Sequence, residues 1–478
     1  MLAEREHSPA APDAMRRVMS TELSALDLSA PIEPRPPGCT VPLTAVQNRL
    51  FHDFVARWKA PLSSRMCASA LRIRGALNLN DTETSIQLVV RRHEALRTRF
   101  EIVEGKPTQH VEPAGRPELT IDDLSGLQQP DAEIRAAALV QLSLDEKIDL
   151  TNGRLFEARA WKLAAEDHVL LLLADHLISD GMSNSILTRE IWTAYREIQE
   201  KRPLSLFALP LQFPDYALWQ HRTYGAWLRE HRPYWDKRLG AATVNEIPTK
   251  GKQSDGPPCS GATVHIPFGN PLTARLREVA LKESVLLPVI VLTAYALVMS
   301  TWCGQQDLLV PFVAHGRHGR PELENMIGYL SHLLLLRIEI VPNDSLRDVL
   351  LRTRDELAAA LIHHDYDRVP DLFPNCATDL HFQWRSSRRG ARSFRSSPET
   401  VKSLRTQPFF VRNPTDGPWN FRCLFHDTAA GIFATVHYRP HLIAPETVDW
   451  FKTSLLDIAK SVCERPGLKV GATVVKRP

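Results

Sequence analysis

The sequence lacks several features that would place the chain in a specialised class of proteins. Its longest apolar stretch, residues 285–299, is too short to span a bilayer, and the N-terminus has no signal-peptide core. The 58 basic and 55 acidic residues give a formal net charge of only +3, too small to indicate a polyanionic partner. We therefore expect a soluble cytoplasmic enzyme with neither a nucleic-acid nor a membrane partner.

Cysteine is sparse and has no recognisable pattern. The seven cysteines form no CxxC or CxH pairing of the kind that holds a metal. We interpret them as reduced thiols, as in cytoplasmic proteins. They stand at Cys39, Cys67, Cys259, Cys303, Cys376, Cys423 and Cys463. The sequence therefore predicts neither a metal site nor a disulfide framework.

The first forty residues differ from the rest of the chain. A short helix at 14–28 is followed by Pro31, Pro34, Pro36 and Pro37, which favour a stiff spacer. We expect residues 1–40 to lie outside the folded core. They fit either a loosely attached tail or a helix that docks another component.

The most informative segment is the heptad 175–181, which reads DHLISDG. The continuous apolar run at 168–174 before it predicts a strand buried on both faces. Helical spacing of apolar residues at 184–198 predicts a helix after it, with Ser183 or Asn184 as N-cap. The heptad is thus a strand-to-helix loop, where rigid elements can aim His176 into a cleft. Alone, it fits a core histidine with a capping aspartate equally well.

Further segments give the heptad a context, because they follow one another in a characteristic order. Together they resemble the motifs of the condensation-domain superfamily of nonribosomal peptide synthetases over residues 41–460. The matching segments are 44–51 (TAVQNRLF), 92–100 (RHEALRTRF), the heptad (similar to HHxxxDG), 213–220 (FPDYALWQ) with Tyr234-Trp235, 304–307 (GQQD), 316–329 with Gly316-Arg317 and Ile327-Gly328-Tyr329, and 363–366 (HHDY).

The resemblance implies an α/β fold. Two chloramphenicol-acetyltransferase-like lobes would form a V, with the active site and a substrate tunnel at their junction. We expect an N-terminal lobe at 41–222, a loop-like connection at 223–260 and a C-terminal lobe at 261–478. Within the second lobe, the patterns predict strands at 264–267 and 307–314, a helix at 271–282 and a buried helix at 287–299.

The resemblance also implies the chemistry. His176 is our candidate for the central group, acting either as general base or by positioning the acceptor and stabilising charge. Gly181 allows a thioester to approach closely and offers a backbone N–H to the oxyanion. Asp180 is expected to form a structural ion pair with Arg317. We expect no bound cofactor, because the donor would arrive on the phosphopantetheine arm of a carrier protein.

Three features depart from the family pattern or lie outside it. Asp175 replaces the first histidine of HHxxxDG, and side-chain alternation along a strand predicts that it points away from the face of His176. His332 replaces the asparagine of IGxFVNTL, and we consider His332 and Ser183 candidate substrate contacts. The basic segment 385–395 fits a solvated loop, or a rim for an acidic carrier or its phosphate.

The chain has no adenylation signature and no LGGxS-like serine for phosphopantetheine attachment. We therefore expect a free-standing, monomeric enzyme that forms an amide or an ester from a carrier-bound acyl group and an amine or alcohol acceptor. One alternative is a coenzyme A-dependent O- or N-acyltransferase, although the DFGWG motif has only the poor match 416–419 (DGPW). The other is a non-catalytic recruitment module, for which Asp175 is the chief argument.

Overall fold

The computed structural model describes twelve stretches of the chain. They are residues 31–56, 66–113, 115, 119–146, 150, 154–242, 245–250, 261–317, 319–364, 380–386, 404–409 and 420–473. The predicted helix at 14–28, the basic residues 387–395 and the 416–419 segment lie outside these stretches.

Helices and strands alternate along most of the described chain. The helices are α1 Ala45–Ala56, α2 Leu79–Arg92, α3 Gln129–Asp145, α4 Gly181–Gln199, α5 Phe213–Leu239, α6 Gly269–Lys282, α7 Leu287–Cys303, α8 Leu346–Ile362 and α9 Pro445–Glu464. The strands are β1 Val41–Pro42, β2 Met66–Arg74, β3 Thr98–Val103, β4 Lys106–Val111, β5 Leu119–Asp123, β6 Phe156–Ala164, β7 Asp167–Asp175, β8 Ala262–Pro267, β9 Asp307–Ala314, β10 His332–Glu339, β11 His381–Ser386, β12 Arg405–Pro408, β13 Phe421–Thr428 and β14 Gly431–Tyr438.

The N-terminal half is organised around a five-stranded sheet in the order β12-β2-β7-β6-β5. Its central strand β7 is buried on both faces, because Leu170 and Leu172 enter one apolar core while Leu171 and Leu173 enter another. This confirms the strand predicted from the apolar run. Burial on both faces fixes the end of β7 firmly, and the heptad begins there.

The C-terminal half contains a six-stranded sheet in the order β10-β9-β11-β13-β14-β8. Helix α7 is buried along almost its whole length, which matches its uninterrupted apolar sequence. It packs with α6, α8 and α9 against one face of this sheet. The strands and helices predicted for this half are therefore confirmed, with ends that differ by a few residues at most.

The predicted connection at 223–260 is wrong in its first part. Helix α5 runs without interruption from 213 to 239. Its first half places Phe213 and Tyr216 in the N-terminal core, while Trp235 and Leu239 belong to the C-terminal core. The apolar stripe continues past residue 222, so one rigid helix joins the two halves.

The predicted boundary of the C-terminal lobe also needs correction. Strand β12 lies far along the chain, yet it pairs antiparallel with β2 of the N-terminal sheet, with Thr406 opposite Ile73. Residues 261–478 therefore do not all belong to one lobe. A four-residue strand carries no local signal for the sheet edge that it will join.

In the described stretches, no single helix is both long and apolar enough to cross a membrane. Helices α6 and α7 are long and apolar enough only when they are taken together, and a bend of 110° separates them.

Candidate functional site

The heptad forms the turn between β7 and α4. The Asp180 carboxylate accepts a hydrogen bond from the Ser183 N–H at 2.7 Å and caps the helix, which begins at Gly181. The predicted N-cap at Ser183 or Asn184 is therefore wrong, and the helix starts three residues earlier. Aspartate caps as well as serine or asparagine does, so composition alone could not place the start.

His176 is half-buried, and its tautomer follows from its partner. The Nδ1 atom lies 3.2 Å from the carbonyl oxygen of Ser179. A carbonyl oxygen can only accept, so Nδ1 carries the proton and Nε2 keeps a lone pair. Burial lowers the pKa of His176, although the carboxylate of Asp175 opposes this effect. The imidazole is therefore neutral near pH 7.

The loop around His176 is held by hydrogen bonds to its own backbone. The buried Asp175 carboxylate accepts a hydrogen bond from the Leu177 N–H at 2.8 Å. The ring of Tyr329 also lies close to the imidazole, at 5.6 Å between centroids. His176 thus sits between the end of β7 and the segment that precedes β10.

The ion pair expected between Asp180 and Arg317 is present. Their side chains are 1% and 2% exposed, and two guanidinium nitrogens lie 2.9 and 3.2 Å from the carboxylate oxygens. Burial alone would raise the pKa of Asp180, but the Arg317 charge and the bonds from Arg317 and Ser183 hold it below its usual value. The pair joins the start of α4 to the loop after β9, and so joins the two halves of the chain.

Ser183 belongs to this buried network. Its hydroxyl donates to the Gly328 carbonyl at 2.8 Å and accepts from the Gly328 N–H and from Arg317. The side chain is completely buried. The predicted substrate contact of Ser183 is therefore wrong, because its bonding capacity is used between α4 and the segment before β10.

His332 is the first residue of β10 and is buried. Its ring lies 5.9 Å from that of His364, between centroids. It also packs against Gly316, whose φ of +64° suits glycine and where a β-carbon would come within 2.8 Å of the His332 Nε2. Its suggested contact with substrate stays a prediction.

Two side chains near His176 were missed by the sequence analysis. The Cys67 Sγ on β2 lies 3.6 Å from His176 Nδ1, and burial raises the pKa of this thiol to about 12. Arg385 lies on β11, with its Nη2 only 3.9 Å from the position of a β-carbon on Gly181. The interpretation of Arg385 as part of a loop is therefore wrong. Alternation of polar residues at 381, 383 and 385 was the available signal.

The described part of the chain brings together no group of three or more His, Cys, Asp or Glu side chains able to hold a metal ion. The five cysteines within it are free thiols.

Comparison with known proteins places these features in a family. A model described as Condensation domain matches residues 39–376. One component of the linear gramicidin synthase of Brevibacillus parabrevis is 31% identical over 362 residues, which is 75% of this chain and 7% of that protein. The chain thus spans only a small part of the length of this curated relative.

Solved structures agree on the fold. The X-domain in complex with OxyB from teicoplanin biosynthesis has a TM-score of 0.77 at 21% identity, covering 94% of this chain and 98% of that one. The first condensation domain of the calcium-dependent antibiotic synthetase, bound to a substrate analogue, has a TM-score of 0.72 at 18% identity, covering 91% and 99%. The α/β, chloramphenicol-acetyltransferase-like fold is confirmed, whereas the V arrangement and the tunnel stay predictions. Together with the match over most of its length, the heptad and its ion pair lead to one conclusion: the chain belongs to the condensation-domain family of nonribosomal peptide synthetases.

Proposed function

We propose that this chain transfers an acyl or aminoacyl group from a carrier-protein thioester to an amine, forming an amide. One observation carries the proposal: the Nδ1–H of His176 is engaged by the Ser179 carbonyl, so Nε2 keeps a basic lone pair. Among neutral side chains near pH 7, imidazole is suited to accept a proton from an attacking amine.

The proposed reaction balances without a metal or an oxidant. The acceptor nitrogen attacks the thioester carbonyl carbon and forms the new C–N bond while its proton passes to His176 Nε2. Collapse of the tetrahedral intermediate breaks the C–S bond, and the proton leaves with the phosphopantetheine thiol. An acceptor that arrives as an ammonium ion must first lose a proton to solvent, so that His176 is still neutral when the free amine attacks.

The start of α4 supplies the electrostatic part of the proposal. Gly181 is the first residue of the helix, so its N–H belongs to the donors that no helical carbonyl satisfies. A developing oxyanion is stabilised by such donors and by the positive end of the helix. The buried pair of Asp180 and Arg317 holds this turn in place without facing the substrate.

Carrier-dependent chemistry is supported by the names of the relatives. Another relative, from Streptomyces viridochromogenes, is named a phosphinothricin tripeptide synthetase. The acyl donor would then be presented on a phosphopantetheine arm, and the acceptor would be a carrier-bound or free amine. An alcohol acceptor, which gives an ester, uses the same proton transfer.

A second candidate function is recruitment of a partner enzyme without chemistry. It is favoured by the likeness to an X-domain that was solved in complex with OxyB, and by Asp175 at the position of the first histidine of HHxxxDG. Its partner would be a separate protein, as OxyB is for that X-domain.

Intact-mass spectrometry of an acyl-loaded carrier separates these functions. The carrier is incubated with candidate amines and with wild type, His176→Ala or His110→Ala, a matched control at an exposed histidine on β4. We expect loss of the acyl group and a new amide with wild type and the control, but not with His176→Ala. Equal turnover by all three would contradict the proposal, and tight carrier binding without turnover would favour recruitment. Replacing the carrier by the acyl-coenzyme A tests the coenzyme A-dependent alternative.

A further inference from the structure

The described helices of the C-terminal half pack against one face of its sheet, and basic side chains lie on the opposite face. On β11, Phe382 enters the apolar core and Trp384 packs against it. Because side chains alternate along a strand, His381, Gln383 and Arg385 stand on the opposite face. Arg385 approaches Gly181 from there, so this face borders the candidate active site.

Neighbouring strands continue this face with more basic side chains. In the parallel pair of β11 and β13, Arg385 is opposite His426 and His381 is opposite Arg422. On the next strand, β14, His437 is opposite Arg422. The Arg422 guanidinium donates to Gln383 at 2.9 Å, across the same two strands. Two arginines and three histidines therefore share one face of three adjacent strands.

These strands offer no acidic side chain to this face. The one carboxylate within β11, β13 and β14 is Asp427, which alternation places on the core side with Phe425. Asp427 is paired there with Arg277 of α6, at 2.6 Å. The positive charge of the basic cluster is therefore not balanced by a carboxylate on these three strands.

The charge of the cluster resides on its arginines. Burial, together with the positive charge of Arg385, lowers the pKa of His426 to about 4. Burial and Arg422 do the same to His381 and His437, whose pKa values fall to about 3 and about 4. Near pH 7 these imidazoles are neutral hydrogen-bonding groups beside two fixed guanidinium charges.

Arg385 is the member of the cluster that lies beside Gly181. It is exposed to solvent, yet enough protein surrounds it to lower its pKa. With the other residues that the structure describes, it forms no hydrogen bond and no ion pair. A guanidinium that lies beside Gly181 and has no partner among the described residues is available to bind an anion.

We propose that Arg385 binds a carboxylate carried by a substrate, so that the site prefers an acyl donor or acceptor with a negatively charged side group. A guanidinium and a carboxylate match in a two-pronged, charge-assisted geometry. The site lies beside Gly181, next to the proposed reacting carbon, where side groups of the substrates reach. The phosphate of the phosphopantetheine arm shares the anionic chemistry but stands at the far end of the arm from the thioester.

Binding of a simple dicarboxylate tests the site independently of turnover. We would titrate four proteins with glutarate at constant ionic strength: wild type, Arg385→Gln, Arg385→Lys and Arg275→Gln. Binding is followed through the nuclear magnetic resonance signals of carbon-13-labelled glutarate, and neutral glutaramide is the comparison ligand. Arg275 is an exposed residue of α6, so its substitution makes the same change of charge elsewhere. We expect Arg385→Gln to weaken glutarate binding about tenfold or more, as for loss of a charge-assisted bond. Arg385→Lys should retain part of the affinity, and Arg275→Gln all of it.

Turnover then identifies which substrate carries the carboxylate, and this step rests on the proposed function. Succinyl- and butyryl-loaded carriers test the donor, while glycine and glycinamide test the acceptor. Wild type should prefer the charged member of one pair, and Arg385→Gln should lose that preference. An equal loss of turnover for every substrate would overturn the proposal in favour of the arm's phosphate. Glutarate binding that is unchanged in Arg385→Gln would also overturn it. Arg385-dependent glutarate binding by a protein that shows no transfer would preserve the site while refuting the proposed function.

Discussion

The Nδ1 atom of His176 lies 3.2 Å from the carbonyl oxygen of Ser179, three residues further along the same loop. This short-range bond to the backbone orients the ring. The arrangement differs from a catalytic triad, in which a carboxylate holds the imidazole and stabilises its charged form. Here the backbone orients the base, and burial favours its neutral state.

The first prediction concerns the protonation of His176. Burial disfavours the imidazolium, so the ring should take up a proton only below its ordinary pKa of 6.5. Acyl transfer should therefore lose activity through His176 only below pH 7; above pH 7 it should hold, or rise as more of the acceptor becomes the free amine. Nitrogen-15 magnetic resonance should find the proton on Nδ1 in the neutral ring. A ring protonated on Nε2, or a loss of activity that begins above pH 7, would contradict this account.

Much of the fold was predictable because its signals are local. The run of apolar residues in β7 and the apolar sequence of α7 each require burial on all sides, wherever the element lies. The pairing of Asp180 with Arg317, by contrast, came from the resemblance, since no local rule joins residues so far apart in the chain.

The elements that were missed depend on tertiary position. Continuation of α5 into the second core, pairing of β12 with β2, and approach of Arg385 to Gly181 all join distant segments. Alternation on β11 indicates which side chains share a face, but not what that face meets. The start of α4 was misplaced for a different reason, because the sequence offers several good capping residues in succession.

Asp180→Asn should destabilise the fold. The amide keeps the shape and a capping oxygen, but it leaves the Arg317 charge buried without its counter-ion. Breaking a buried pair in this way costs about 3–5 kcal/mol of the free energy of unfolding, which urea denaturation measures. The matched control is Asp236→Asn, which breaks an exposed pair with Arg232 and should cost about 0.5 kcal/mol or less. A variant as stable as wild type, changed only in its pH profile, would assign Asp180 to the chemistry instead.

Gly181→Ala separates folding from transfer. An added β-carbon would meet no described protein atom closer than 3.9 Å, and alanine suits a helix better than glycine does. The variant should therefore unfold at the wild-type urea concentration or above it. The methyl group would, however, occupy the space between α4 and Arg385 where we place the thioester. Displacing the reacting carbon by about 1 Å costs about a hundredfold in rate. Turnover within twofold of wild type would place the thioester elsewhere. The matched control is Gly115→Ala, where an added β-carbon meets nothing within 4 Å, and this variant should match wild type in both stability and turnover.

Cys67 should not act as a nucleophile, although its Sγ lies 3.6 Å from His176 Nδ1. Burial raises the pKa of the thiol to about 12, and the Nδ1 beside it already donates its proton to Ser179. The basic Nε2 lies 3.8 Å from the same Sγ, so the raised pKa of the thiol decides the matter: the thiolate needed for attack is scarce at neutral pH. We expect Cys67→Ala to retain transfer to within a few-fold of the half-buried control Cys303→Ala. Rapid-quench intact-mass spectrometry of wild type with excess acyl carrier should find no acylated protein. An acyl adduct on wild type would contradict this prediction if the Cys67→Ala variant lost both the adduct and turnover. Transfer would then follow a two-step covalent route, and the neutral His176 would act as a base for the Cys67 thiol instead of for the acceptor amine.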